Sequence, residues 1–187
     1  TGVQTCALPI WANIGIFSLY AAARGARAVH AFEPNSESYD LLLRNIRENG
    51  LDGVIVPHRA AVAGRGPDTV RFPKGSSMYN AILRENEGGE FEDVRAVDLD
   101  RAYAECFGVG QVVDLLKLDC EGAEYEILQG ATPEIFRRTR AIRLEYHHGR
   151  EEELMASLAG RGYRMRRWMK ENPSSGTMWV ERPRAQG

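Results

Sequence analysis

The chain has 187 residues, 43% hydrophobic and 27% charged, which suits one domain with a sizeable core and excludes a disordered chain. With 24 basic and 26 acidic side chains the net charge is -2, so nothing in the balance points to nucleic acid. The sequence has no apolar run near the roughly 18 residues of a membrane span, no secretory-signal layout and only three scattered cysteines (Cys6, Cys106, Cys120); these features predict a reduced, cytoplasmic protein without a membrane partner.

Thr1 to Ile10 reads TGVQTCALPI and resembles the translated read-through of a sequencing-library adapter. That adapter ends on a T, and Trp11, encoded only by TGG, fits this T joined to two native bases. A native GGG codon would have been glycine. On this reading residues 1–10 are foreign, 11–187 form a single domain, and the first strand of that domain is truncated.

Ala12 to Ala23 predicts a helix packed closely on a sheet and stopped at Gly25. Arg27 to Phe32 is a short apolar strand that ends at Glu33-Pro34-Asn35. Ser36 opens a helix with Tyr39, Leu42, Leu43 and Ile46 at helical spacing and Gly50 as its cap. Val54 to Pro57 reads as the next strand, with His58 to Val62 as its exit. Helices alternating with short buried strands predict an α/β fold with a parallel sheet. Residues 64–111 break this rhythm and read as an insertion or lid region. Within it, Thr69 to Phe72 and Val94 to Val97 flank a polar loop from Pro73 to Glu90, and Asp100 to Phe107 reads as a short helix. Val112 to Leu118 is a strand running into Asp119-Cys120-Glu121-Gly122, followed by a helix from Ala123 to Gln129. The strand Ala141 to Tyr146, the helix Glu151 to Gly160, and a terminal antiparallel pair, Tyr163 to Trp168 with Thr177 to Glu181, complete the chain.

Two features define a nucleotide-type site. Ala12-Asn13-Ile14-Gly15 is a small-residue turn whose backbone N–H groups can approach a ligand closely. About twenty residues on, Glu33 ends the following strand, where an acid accepts hydrogen bonds from both ribose hydroxyls. Such a pair suits a nicotinamide dinucleotide or S-adenosylmethionine. A dinucleotide wants G-x-G-x-x-G, which Trp11 to Ile16 does not supply, even with Trp11 restored to glycine.

ANIGIFSLYAA, AFEPNSESYDLLLRNIRENGL, VVDLLKLDCEGAEYEILQGA and AIRLEYHHG, in this order and spacing, closely resemble the FkbM-type methyltransferases. The similarity runs over nearly all of 12–187, and the block Asp119 to Glu124 with Lys117 is its most specific piece. The family's first block normally begins Asp-x-Gly-Ala-Asn, so Pro9 and Trp11 stand where an aspartate and a glycine belong. The resemblance implies a class I methyltransferase fold, that is, a Rossmann-like three-layer sandwich with a mostly parallel sheet. It also implies S-adenosylmethionine as cofactor and O-methylation of a hydroxyl on a small molecule or sugar. It places the donor at Ala12, Asn13, Gly15 and Glu33, with Asp119 and Glu121 near the sulfonium.

An alcohol nucleophile must lose its proton, and Asp119, Glu121, Glu124, Glu145, His147 and His148 are the available acceptors. A histidine near its ordinary pKa suits this task best, so His147 or His148 is expected as the base and Asp119 as the organiser of the donor. The carboxylates could instead hold a magnesium-like cation, but no metal is assigned. His30 and His58 read as structural. Lys117, a charge inside an apolar strand, is expected to pair with Glu145. The rivals are a catalytically silent binding domain and a dinucleotide-dependent oxidoreductase.

Overall fold

Short apolar runs bracketed by glycine and proline become the strands of a parallel sheet, and amphipathic stretches between them become its covering helices. The computed structural model describes residues 5–66, 68–74 and 90–183. In chain order the first half contains β1 (Cys6–Ile10), α1 (Ile16–Ala23), β2 (Ala28–Phe32), α2 (Ser36–Glu48) and β3 (Ile55–His58). There follow β4 (Ala61–Val62), β5 (Thr69–Pro73), β6 (Phe91–Val97), α3 (Leu99–Cys106) and β7 (Val113–Leu118). The second half adds α4 (Glu124–Gly130), α5 (Pro133–Arg138), β8 (Thr139–Tyr146), α6 (Glu151–Gly160), β9 (Arg164–Lys170) and β10 (Gly176–Glu181).

Seven strands form one sheet in the order β3-β2-β1-β7-β8-β10-β9. β10 runs antiparallel to both its neighbours, and the other pairs are parallel. One face carries Ala7, Val29, Ala31 and Ile55 against Leu42 and Ile46 of α2 and Leu19 of α1. The other carries Leu8, Ile10, Phe32, Leu116 and Leu118 against Leu99 and Tyr103 of α3, Ile127 of α4 and Phe136 of α5. Three layers result, as expected.

Two regions carry more detail than the sequence reading. Cys6–Ile10 occupies the place of the first strand, expected to be truncated, as an interior strand of five residues, buried at all five positions and paired with β2 and β7. A five-residue run this apolar fills the buried slot whatever its origin, although Pro9 contributes no N–H to the ladder. The described residues of 64–111, expected as an insertion or lid region, fall into two parts. α3 packs in the main core, while β4, β6 and β5 form a small second sheet. Most of the expected loop from Pro73 to Glu90 lies outside the described residues. α5 was not anticipated, though Thr132-Pro133-Glu134 carries a helix-start signal.

The order of strand addition reverses between β1 and β7, with β2 and β3 on one side and β8 on the other, which makes this the switch point where open parallel sheets bind ligands. Ile10 is level with Phe32 on one side and Leu118 on the other. The residues that follow these three, Trp11, Glu33 and Asp119, therefore meet at one end of the sheet.

Candidate active site

The turn after β1 is held by its own backbone. Ala12 N donates to Phe32 O at 2.7 Å, and Gly15 N donates to Ala12 O at 3.0 Å. Trp11, Asn13 and Gly15 all take left-handed conformations, with φ of 58°, 51° and 93°. Gly15 also lets Leu42 of α2 approach where a Cβ would stand. Asn13 N donates to Glu33 Oε2 at 2.7 Å, and Asn35 N donates to Glu33 Oε1 at 2.8 Å. The two elements read separately in the sequence are thus one unit. Burial raises the Glu33 carboxyl to about 7, although both N–H bonds and the Lys117 charge oppose the shift.

Between this turn and the end of β7 opens a cleft of ≈ 500 Å³, within the range of small-molecule sites. Trp11, Ala12, Asn13, Glu33, Lys117, Asp119 and Glu121 line it, together with Ser38, Leu41 and Phe72, which the sequence did not point to. Trp11 meets Phe72 edge to face at 5.4 Å. Its indole N–H is buried without a partner among the described residues.

The loop after β7 is tied more firmly. Glu124, fully buried at the start of α4, accepts hydrogen bonds from Cys120 N at 2.7 Å and Gly122 N at 3.0 Å. His147 Nδ1 lies 3.2 Å from the same carboxylate. The hydrogen bond to Glu124 comes first among the causes that raise His147 to about 9, against the opposing effect of burial. His147 is therefore a cation at neutral pH, with Glu121 Oε2 at 3.4 Å and Glu145 Oε1 at 3.7 Å around it. Glu121 has φ 48° and a pKa raised, first of all, by burial.

Residues 10–172 match the Methyltransferase FkbM domain. The chain belongs to this family. It is 34% identical to "Methyltransferase sdnD" of Sordaria araneosa, over 72% of this chain and 63% of that protein. The chain thus spans under two thirds of that relative's length. Solved structures share the fold of this FkbM domain at low identity. The METTL16 MTase domain has a TM-score of 0.61 at 11% identity, covering 96% of this chain and 60% of that one. TrmK of M. capricolum in complex with S-adenosyl-homocysteine has a TM-score of 0.57 at 11% identity, covering 95% and 62%. The fold is that of the class I, Rossmann-like methyltransferases.

In this FkbM domain Ala12, Asn13, Glu33, Asp119 and Glu121 line the cleft at the switch point, whereas Gly15 and the two histidines stand outside the lining. The hydrogen bond to Glu124 and the carboxylates around it favour the charged form of His147. His148 is exposed, with φ 65°, and its ring lies against Gly122. Lys117 pairs with Asp119, Nζ to Oδ2 at 2.6 Å, not with Glu145. Positions two apart on a strand share a face, and the residue level with Lys117 on β8 is Arg143. His30 and His58 lie away from the cleft, near the β3 edge. Burial lowers His30 to about 4 and also lowers His58. Among the described residues no helix is long and apolar enough to cross a membrane.

Proposed function

We propose that the chain transfers a methyl group from S-adenosylmethionine to a hydroxyl of a small molecule or sugar, and that it does so in the cytoplasm. The observation that carries this reading is the meeting of Glu33, Asp119 and Glu121 at one cleft on the switch point. The donor set suits a ribose-bearing cation: Glu33 is buried and held by two backbone N–H groups, and the cleft also holds the carboxylates of Asp119 and Glu121. When bound, S-adenosylmethionine supplies an electrophilic methyl group. Glu33 would accept the ribose hydroxyls through the lone pairs left free by the Asn13 and Asn35 N–H groups. Asp119, braced by Lys117, sets a negative charge beside the donor. Much of the acceleration comes from alignment of the two partners within the cleft.

The base moves from the histidines to Glu121. Its carboxylate lines the cleft, and burial makes it a stronger base than a solvated glutamate. The His147 cation beside it keeps it ionised until it takes the hydroxyl proton. Glu121→Gln should lower turnover by at least about a hundredfold while leaving affinity for S-adenosylhomocysteine unchanged. Calorimetry with S-adenosylhomocysteine and NAD, plus transfer of labelled methyl to a panel of hydroxyl acceptors, checks the whole reading. Binding of NAD alone, or label on nitrogen or carbon, would overturn it.

A second reading, a binding domain without turnover, is favoured by one observation. The Trp11 indole stands in the cleft wall in a conformation suited to glycine. Binding of S-adenosylhomocysteine with no methyl transfer to any acceptor would establish it.

A further inference from the structure

Near the β3 edge of the sheet, three side chains from three elements turn their donor atoms toward one point. His30 comes from the middle of β2, His58 from the end of β3 and Cys106 from the last residue of α3. One ligand atom from each lies within 4.8 Å of the other two. His30 Nδ1 is 3.1 Å from His58 Nε2, and Cys106 Sγ is 3.6 Å from that same nitrogen.

These spacings are those of ligands around a small tetrahedral ion. With zinc bonds of about 2.05 Å to nitrogen and about 2.3 Å to sulfur, tetrahedral edges come to about 3.3 Å between nitrogens and about 3.6 Å between nitrogen and sulfur. The donors are also held in place from outside. Phe32 stacks on His58 at 4.5 Å, and Phe107 meets His30 edge-on at 4.9 Å. All three side chains are half-buried, so an ion can enter yet is shielded once bound. The nearest charged groups, Glu105 and Arg95, are paired with each other.

We propose that His30, His58 and Cys106 form a binding site for zinc(II) or a similarly borderline-soft divalent cation, separate from the donor cleft. Two imidazoles and a thiol select such ions over magnesium or calcium, which prefer oxygen. On binding, the metal takes the place of the proton between the two rings, and the ring that carried it moves that proton, by exchange with solvent, to its other nitrogen. Each ring contributes a lone pair, and the Cys106 proton passes to solvent as the sulfur–metal bond forms. Water fills the fourth position. Because the three ligands belong to different elements, the ion ties the end of α3 to β2 and β3. β2 ends at Phe32, so occupancy also stiffens the strand that presents Glu33.

Cobalt(II) is the probe. The full chain should bind one cobalt with a thiolate-to-metal charge-transfer band and the visible bands of tetrahedral coordination, and zinc should displace it. Cys106→Ser should lose the charge-transfer band, Cys120→Ser should keep it, and His58→Gln should weaken binding by at least about tenfold. The unfolding temperature should rise with zinc in the unaltered chain but not in Cys106→Ser. Absence of both the band and the temperature rise in the unaltered chain overturns the proposal, whether or not the variants fold. A band that survives in Cys106→Ser overturns it equally.

Discussion

After β1 the chain turns through Trp11–Gly15 into α1, and after β7 it turns through Asp119–Ala123 into α4; both turns line one cleft. Each needs left-handed backbone: Trp11, Asn13 and Gly15 in the first, Glu121 and Gly122 in the second. The second turn answers that strain with its own chemistry. Glu124 gathers two N–H groups of the loop and the His147 ring, and Lys117 holds Asp119. The first turn has Asn13 and Gly15, which tolerate the geometry, but it also has Trp11, whose left-handed conformation costs about 1–2 kcal/mol. The Trp11 indole N–H gains no partner in return among the described residues. Glu33 bonds the first turn at Asn13, so the difference between the turns narrows to Trp11, whose indole N–H bonds nothing among the described residues.

The contrast breaks most sharply at Glu124. Glu124→Ala strands two loop N–H groups and a buried-side imidazolium, and should cost about 3 kcal/mol in urea unfolding. A loss below about 1 kcal/mol would show the second turn to be no better secured than the first. Next in size is the pH dependence of the His147–Glu124 pair. His147 has a folded pKa raised to about 9 from an ordinary 6.5, so its stabilisation is fully present below 6.5 and is lost as pH rises through 9. Allowing for solvent screening, this amounts to about 2 kcal/mol. Unfolding measured at intervals from pH 6 to 10 should show the loss, and a His147→Gln chain should show a flatter profile. The smallest effect sharpens the other side. Trp11→Gly should raise affinity for S-adenosylhomocysteine about tenfold, about 1.4 kcal/mol, while lowering stability through lost contact with Phe72. Equal calorimetric affinities would mean that the indole does not obstruct the donor.

Much of this was legible from residue type and spacing. Glu33 after a short apolar strand, and small residues in the preceding turn, located the cleft before any contact was known. Asp119 at a strand end located its other wall. What escaped depends on side chains from distant segments. The partner of Lys117 hangs on register, since β8 sets Arg143 level with it and leaves Asp119 within reach. The charge on His147 hangs on a buried carboxylate 23 positions away, which no local pattern reveals. Phe72 enters the cleft wall from the small second sheet, whose placement no strand pattern encodes. The place of Cys6–Ile10 was missed for a different reason. A resemblance to foreign sequence set the segment aside, whereas the buried slot asks only for apolar residues able to extend.

The neighbours of β1 come from far apart in the chain, and hence far apart in time during synthesis. β2 follows within a few tens of residues, whereas Cys6 N reaches Asp114 across 108 positions. At about 5–20 residues per second, the ribosome delivers β7 several seconds after β2. During that interval β1, β2 and β3 can already pair and receive α1 and α2 on one face, while the other face waits bare for α3 and α4. A strand interior to the finished sheet therefore begins as an edge. Pro9, a residue that blunts edges because it offers no N–H to a stray partner, lies on it throughout that interval.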